Sequence, residues 1–590
     1  MGTNVMLIDK DTVSNHLKIH VENDHEMYVF DTLRRELSVT NKAARFSKWA
    51  KDRICPINLT GTFPAGLYAD VVRAIKKISN EVHLEITKDA KKIMCPFSAN
   101  ILSPEKYIPE GFELRDYQLE CVKKGLQYGR GIFELPTGSG KSLLQFLMIR
   151  VMQEYDLNKI LLLVPNLQLV TQIHQDFLDY GMDPNDVQMF SSFDDTLNDA
   201  PIIITNRSWI QKYNVKELKS LEKELKQCIV LHKKLTKDIN AAPSKTAIKM
   251  FDLEKKYKKA KGKKKQDEQE PKKNAITGKV PTCLLDEPDK ILDKMKRRIK
   301  SIPERMKHIS ETIPIFEQFD AVFADEVHGL SSGNQVTKFV QKMPTLIRFG
   351  FTGTLQEQTN DGAEDRWNII GTIGPVLYFQ RAYELQQDDF LSQLKIRAIE
   401  LVHTTPVPYS VNDNNFMQVH MLEQAYIEEL PAYNNLIAGI ANKVKGNSFV
   451  LFDHTKHGKQ LFEIAQQVCS NKNVFFINGS VDIEERDDIK QYMVENQNCV
   501  LFGNVKCVGT GISIKNIRHI IFAMSGKATV KIIQAIGRGI RLHEDKDCMY
   551  LYDVYHNLKY SADHFNHRRR LYQKHYKITI EDHEIKKIDI

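Results

Sequence analysis

Apolar residues recur along this chain with two periods, and the switches between them mark out its elements. Near the amino terminus VMLID (5–9) and HLKIHV (16–21) alternate as strands do. Met27–Leu37 and a segment carrying Leu67, Val71, Ile75 and Ile78 repeat at helical spacing. Between these helices RFSKWAKDRICPINL (45–59) predicts a strand pair, so residues 1–95 read as a small α/β unit. From about 110 to 210, apolar runs alternate with helical patterns: GIFEL, a helix from Lys141, KILLLV, a helix from Leu169, then PIIIT. Such alternation predicts a parallel, doubly wound sheet. A second set of the same kind runs from about 395 to 560 through SFVLF, VFFING, CVLFGN, HIIFAM and MYLYDV. The last thirty residues, with HFNHRRRLYQKHY (564–576), predict a basic aromatic helix and a short tail.

The first sheet pattern is interrupted. After the strand ending near Thr205 the next buried strand is DAVFAD (320–325), over a hundred residues on, whereas one crossover needs only about 30. The interval opens with ELKSLEKELKQCIVLHKKL, a charged helix with a thin apolar stripe. It continues through KKYKKAKGKKKQDEQEPKKN, too polar to bury a core, and so predicts a helical hairpin with a disordered tip. The expected organisation is an accessory unit over 1–95 and a first α/β domain over 96–375 with an insertion at 211–310. A second α/β domain over 376–560 and a helix with tail over 561–590 follow.

Composition sharpens this picture in three places. Residues 211–310 hold 29 Lys/Arg against 14 Asp/Glu, a net of +15 in a chain whose total is +8, so one basic segment suited to phosphates is carried on a mildly acidic body. The longest apolar run, Ile160–Val164, is far short of a membrane span, and no signal or lipidation pattern opens the sequence, so an intracellular protein without a membrane partner is expected. Nine cysteines without a C-x-x-C pair argue against a disulfide framework and a structural zinc site.

Three motifs carry chemistry. LPTGSGKS (135–142) follows a strand and opens a helix, the setting in which Pro136, Thr137, Gly138, Ser139 and Gly140 can curl their N–H groups around phosphates. Lys141 would neutralise the β and γ phosphates of ATP, and Ser142 would supply an oxygen to Mg²⁺, although Leu135 stands where a strict pattern has Gly. FADEVH (323–328) sets Asp325 and Glu326 at the end of an apolar strand, Asp325 to hold Mg²⁺ and Glu326 to orient and deprotonate a water. QAIGRGIR (534–541) reads as a helix with Gln534, Arg538 and Arg541 on one face, the arginines placed to meet transition-state charge. Taken singly, the acids read as a solvated turn and the arginines as a basic surface helix; their order in two similar domains favours a nucleotide site.

These motifs, with GFTGTL (350–355), resemble the superfamily 2 helicases of the DExH-box class. The resemblance implies tandem RecA-like P-loop domains that hydrolyse ATP between them. It implies further that Gln118, in LRDYQ, reads adenine and that His328, Thr352 and Thr354 relay nucleotide state. It assigns nucleic-acid contacts to Pro165, Asn166, Thr205, Arg207, Ser208, Gly479, Gly509, Thr510 and Gly511, positions whose backbone N–H groups and hydroxyls suit phosphates. FSKWAKDRI, FPAGL, FDHTKHGKQLFEIA, INGSVDIEERDDI and GTGISIKNIRHII are similar to the UvsW type of phage helicase, which implies remodelling of branched DNA in recombination and repair. The Lys-rich insertion has no counterpart in that resemblance. An RNA helicase with the same engine, the duplex translocase of a restriction complex, and a degenerate ATPase acting as a scaffold are the alternatives. The intact set Lys141, Asp325, Glu326, Arg538 and Arg541 argues against the last. For the insertion a protein partner is the alternative to DNA.

Overall fold

Alternation of buried and exposed positions builds the first sheet. In β1 (Val5–Lys10) Met6 and Ile8 are buried, and in β2 (His16–His20) Leu17 and Ile19 are. The structure, a computed structural model, describes residues 5–12, 15–41, 44, 51–97, 103–191, 199–210, 215–241, 288–330, 335–355, 363–407, 416–479, 481, 483–505, 514–526, 528–544 and 546–590. It divides into two compact units, one comprising 1–189, 200–206 and 320–590, the other 190–199 and 207–319.

The chain enters the first unit through β1, β2, α1 (Asp24–Glu36), β3 (Val39–Thr40), β4 (Arg53–Ile54), β5 (Thr62–Pro64), α2 (Tyr68–Ile78), β6 (His83–Ile86) and α3 (Lys88–Met94). Among the described residues β5-β2-β1-β6 form a mixed sheet, and α2 seals it with Val71 and Ile75. The strand pair expected within 45–59 joins β3 to β4 instead. Asn41 fixes that ladder by donating to Asp52 O and Lys51 O, and 45–50 lie outside the described residues.

A first lobe follows with α4 (Asp116–Tyr128), β7 (Arg130–Glu134), α5 (Lys141–Gln153), β8 (Ile160–Val164), α6 (Leu167–Asp179), β9 (Val187–Phe190) and β10 (Ile202–Asn206). The chain then leaves through α7 (Arg207–Ile210), α8 (Val215–Ala241) and α9 (Pro288–Thr312). It returns at β11 (Ala321–Ala324), α10 (Gln335–Lys342), β12 (Ile347–Thr352), α11 (Ala363–Thr372), β13 (Val376–Phe379) and α12 (Ala382–Gln387). The sheet order is β13-β7-β12-β11-β8-β10-β9, and the pairings from β13 through β10 are parallel. Helices on both faces leave β8 and β11 wholly buried, so these strands carry unbroken apolar runs rather than alternation.

The second lobe comprises β14 (Gln393–Val402), α13 (Phe416–Glu429), α14 (Pro431–Lys443), β15 (Asn447–Phe452), α15 (Thr455–Val468), β16 (Asn473–Ile477), α16 (Ile483–Glu495), β17 (Cys499–Asn504), β18 (Ile517–Ala523), α17 (Thr529–Gly539), β19 (Cys548–His556), α18 (Lys559–Tyr576) and β20 (Lys586–Asp589). Its sheet, β16-β17-β15-β18-β19-β14-β20, is parallel from edge to edge. The carboxy-terminal segment is part of this lobe: β20 pairs with β14, and α18 is locked by a buried ion pair in which Arg568 donates to both oxygens of Asp553 at 2.9 and 2.7 Å. Tyr572 adds a hydroxyl to Asp553, while the carboxylate of Glu423 accepts from the N–H groups of Tyr560 and Ser561 at the start of α18.

Close backbone approach attaches the amino-terminal sheet to the first lobe. A Cβ at Gly66 would lie 1.9 Å from Ile370 O on α11, and the Arg130 guanidinium donates to Ile93 O and Ile373 O.

The second unit, described by itself, holds α7, α8 and α9. Leu221 and Cys228 of α8 and Met295, Ile302 and Ile309 of α9 are buried, and Arg298 makes a two-pronged ion pair with Glu224. Lys223, Lys226, Lys296, Arg297 and Lys300 are exposed. The expected hairpin tip lies outside the described residues. Among the described residues no helix is long and apolar enough to cross a membrane.

Buried histidines make the second lobe acid-sensitive. His457 stacks on Tyr433, holds Asn434 Oδ1 at 2.9 Å, and is pulled down to about 4 by burial and then by His454. His519 donates to Lys445 O and is likewise lowered by burial to about 4. Because the unfolded chain protonates near 6.5 and the folded lobe only near 4, stability is complete above pH 6.5 and falls across that window, by up to about 1.4 kcal/mol per pH unit per histidine. Thermal unfolding should therefore show a lower Tm at pH 5 than at pH 7.5, and His457→Gln should narrow that difference. An equal drop in both proteins would remove His457 from the effect.

Candidate active site

Because the strands run parallel, their carboxyl ends lie on one edge of the first sheet, and that edge gathers the motifs. After β7 the chain turns through Gly138 and Gly140, whose φ values of +88° and +79° are natural only for glycine, before Lys141 opens α5. The space the loop leaves is narrow: a Cβ at Gly140 would sit 2.5 Å from Gln118 Nε2, and one at Gly138 would sit 3.0 Å from Leu391. Gln118 is buried and braces the loop. Its amide oxygen accepts from Arg115 N–H at 3.0 Å and its amide nitrogen donates to Ser139 O at 2.9 Å, where the Tyr117 hydroxyl also donates. Lys141 Nζ donates to Leu135 O and Pro136 O at 3.3 and 3.2 Å, lying against the loop whose N–H groups would meet phosphate.

Two strands away β11 is followed directly by Asp325, whose N–H donates to Leu163 O. Glu326 then takes a left-handed conformation, φ 47° and ψ 51°, at a cost of about 1–2 kcal/mol for a residue with a Cβ. That turn brings its carboxylate back to β12. Glu326 Oε2 lies 3.1 Å from His328 Nδ1, and His328 Nδ1 lies 3.0 Å from Thr352 Oγ1. The Thr352 hydroxyl donates to Thr354 O at 2.9 Å and accepts from Thr354 N–H at 3.2 Å, so the acid, the histidine and both threonines form one polar cluster about His328 Nδ1.

The second lobe meets this edge through α17. A Cβ at Gly537 would lie 2.7 Å from Thr137 Cβ, which places the helix directly on the phosphate loop. Burial, reinforced by repulsion from Arg541 and opposed by Glu326, pulls the Arg538 guanidinium down to about 9, so it stays charged at neutral pH. Arg541 is also lowered by burial, with Asp176 opposing. It does not share the helix with Gln534 and Arg538 as the spacing predicts. The helix stops at Gly539, because Ser392 takes up Ile540 O through its N–H and Arg541 O through its hydroxyl. Arg541 is thereby turned across Gly138, where its Cγ would be 3.6 Å from a Cβ.

The motifs give no role to Asp176 and Tyr180, yet both stand at this site. Tyr180 OH lies 3.1 Å from Ser142 Oγ, and Asp176, on the preceding helical turn, is raised by burial and lowered by Ser142 and Arg541. Four-residue spacing, from Asp176 on α6 to Tyr180 at its C-cap, is their only sequence signal, and it is equally the spacing of an ordinary helix face.

The nucleic-acid candidates are more dispersed. Pro165 and Asn166 follow β8, with Asn166 capping α6 through Leu169 N–H, and Thr205 is buried on β10. Arg207 and Ser208 open α7 in the second unit. Gly479 follows β16, with nothing within 4 Å of a Cβ built on it. Gly509, Thr510 and Gly511 lie outside the described residues.

Two parallel α/β lobes with a phosphate loop, a DExH strand end and an arginine helix define an ATP-hydrolysing helicase built from tandem RecA-like domains. Residues 111–233 match the family described as type III restriction enzyme, res subunit, and residues 430–543 the helicase conserved C-terminal domain. The chain is 22% identical over 554 residues to the ATP-dependent DNA helicase uvsW of Enterobacteria phage T4, covering 92% of this chain and 88% of that one. It is 25% identical over 248 residues to putative helicase 22 of a Sulfolobus islandicus filamentous virus, covering 40% and 43%. The crystal structure of T4 UvsW aligns with 99% of each chain at 19% identity and a TM-score of 0.39. The chain thus carries helicase domains and is similar along most of its length to a UvsW helicase.

Gly537 offers a direct test of this apposition. In a helix Gly→Ala ordinarily stabilises by about 1 kcal/mol, but here the added methyl meets the phosphate loop. Gly537→Ala should keep the parent Tm and lower kcat for ATP by roughly 10²-fold, the effect of about 1 Å of misplacement. Parent kcat in this variant would mean that α17 does not approach the loop in turnover.

Proposed function

We propose that this chain is an ATP-dependent DNA helicase and translocase that remodels branched DNA, through fork regression, branch migration of junctions and duplex unwinding, in recombination, repair or replication. The observation that carries the proposal is the cluster of Glu326 and Thr352 about His328 Nδ1, with the Glu326 charge acting on the buried Arg538 of the second lobe. The relative that spans most of the chain is named as a DNA helicase, which favours DNA over RNA.

In this proposal Lys141 binds the β and γ phosphates, and the N–H groups from Thr137 to Ser142 cradle them. Ser142 and Asp325 supply the hard oxygen donors that Mg²⁺ prefers, and the ion's charge would offset that of the phosphates. Glu326 accepts a proton from the attacking water, held in place by His328. Arg538 and Arg541 meet the charge that develops in the transition state. Pro165, Asn166, Thr205, Arg207, Ser208, Gly479, Gly509, Thr510 and Gly511 are assigned to the phosphate backbone of the track.

Lys141→Ala should lose both ATP binding and turnover, while Glu326→Gln should bind ATP and fail to release it as ADP. Arg538→Ala should lower turnover roughly 10³-fold with little change in ATP affinity. Forked, four-way and single-stranded DNA compared with RNA in one ATPase assay tests the substrate. Strongest stimulation by RNA would replace DNA by RNA in the proposal, and stimulation by linear duplex alone would favour a restriction-type translocase.

The helices of the second unit fit an arm that grips duplex DNA, since their apolar stripe is used between them and their outward faces carry Lys223, Lys226, Lys296, Arg297 and Lys300. Joining Trp209 to Phe316 by a short Gly/Ser linker should keep basal ATPase. It should also flatten the slope of log affinity against log salt by about 0.9 for each DNA phosphate that the arm had neutralised. An unchanged slope with surviving ATPase would assign the arm to a protein partner.

A further inference from the structure

Glu134 is a carboxylate in an apolar strand immediately before the phosphate loop, and nothing in the hydrolytic chemistry above uses it. Its backbone is held on both sides: it pairs with Thr352 of β12 and with Phe379 of β13, and its carbonyl accepts from Gln380 N–H at 3.0 Å. Its side chain reaches past the end of β12 and accepts from Leu355 N–H at 3.0 Å. The next residue, Leu135, donates its N–H to Thr352 O at 2.8 Å.

The segment Thr352-Gly353-Thr354-Leu355 is therefore clamped at both ends by two consecutive residues of the strand that feeds the phosphate loop. A strand bond holds the Thr352 end and the Glu134 carboxylate holds the Leu355 end. Gly353 runs between them, where a Cβ would touch Leu135 O and Thr137 at 3.7–3.9 Å. Inside this clamped segment sits the Thr352 hydroxyl that joins His328 and Thr354. Without the Glu134 clamp the segment would pivot about its strand-held Thr352 end, and the mutual hydrogen bonds of Thr354 with the Thr352 hydroxyl, at 2.9 and 3.2 Å, are the first to suffer.

The surroundings suit a carboxylate that answers to more than one element. Burial raises its pKa. The Leu355 N–H opposes that rise, followed by Arg366 of α11, Lys574 of α18 and Arg381 before α12. One of these cations, Lys574, belongs to the second lobe.

We propose that Glu134 is a positioning residue that holds Thr352–Leu355 in register with the phosphate loop, and so sets how much strand movement each ATP hydrolysis yields. The proposal rests on the relay role given to Thr352 and Thr354, and its test separates the two. With the full chain on a forked DNA, ATP turnover, KM for ATP and base pairs opened per ATP are measured for Glu134→Ala, Glu134→Asp, Glu134→Gln and Thr352→Ala. Glu134→Ala should lower base pairs opened per ATP by about tenfold or more, within the range for a misplaced functional group, with KM for ATP near that of the parent.

Glu134→Asp keeps the charge but falls one methylene short of Leu355 N–H, and should behave as the alanine variant does. Glu134→Gln keeps an acceptor oxygen in reach and should recover most of the parent coupling. A merely structural role predicts instead that all three lose Tm and turnover together. Parent coupling in both Glu134→Ala and Glu134→Asp, or a glutamine variant as defective as alanine, would overturn the proposal. If Glu134→Ala does not fold, Glu134→Asp against Glu134→Gln decides by the same criterion. Parent coupling in Thr352→Ala would overturn the relay role itself. Uncoupling in Thr352→Ala without uncoupling in either Glu134→Ala or Glu134→Asp would leave that role standing and dismiss Glu134.

Discussion

Everything at the candidate active site depends on the parallel register of β7, β12 and β11. A parallel sheet sends every strand out at the same edge, so a loop that follows one strand can meet a loop that follows its neighbour without further design. Pairing of Thr352 with Glu134 and of Gly350 with Ala324 sets the phosphate loop, the threonine segment and the acidic turn side by side. A slip of one residue would turn each of those side chains to the other face of the sheet. The strained turn at Glu326 is tolerated because both flanking strands are wholly buried and hydrogen-bonded, so the local cost of about 1–2 kcal/mol is met by a core that cannot relax it.

The second lobe completes the site at the expense of solvation. Burial lowers both Arg538 and Arg541, and the charge of Arg541 lowers Arg538 further. The carboxylates that oppose this come from the first lobe, Glu326 for Arg538 and Asp176 for Arg541. Two guanidiniums held near one another over a ring of backbone N–H groups make a site whose electrostatics favour an anion with several oxygens. Gly537 lets the helix that carries Arg538 approach closely enough for this, which explains why a residue unfavourable to helices stands inside one.

The scaffold around the site is held by buried polar groups as much as by apolar packing. The Arg568, Asp553 and Tyr572 cluster fastens α18 to the second sheet, and Arg130 fastens the amino-terminal unit to the first through main-chain oxygens. Breaking such a buried pair on one side leaves a charge without its partner and costs about 3–5 kcal/mol, whereas an exposed pair such as Lys77 with Glu36 contributes little.

Sequence by itself determined the elements and the chemistry of the loops between them. The unbroken apolar runs of β8 and β11 are legible because a strand covered on both faces can carry nothing else, and LPTGSGKS is legible because only glycine turns there. The hundred-residue interruption before DAVFAD is legible from length alone, since no crossover needs it. Only the tertiary structure decided the rest. That Arg541 leaves the helix of Gln534 and Arg538 depends on Ser392, 149 residues earlier, claiming its carbonyl. That the basic tail closes the second sheet depends on a strand pairing with β14, and that Asp176 and Glu134 stand at the site depends on neighbours from distant segments. Hydrophobic period and turn chemistry are local properties, written residue by residue. A hydrogen bond between segments about two hundred residues apart is fixed only when the packed core has chosen which edges and faces meet.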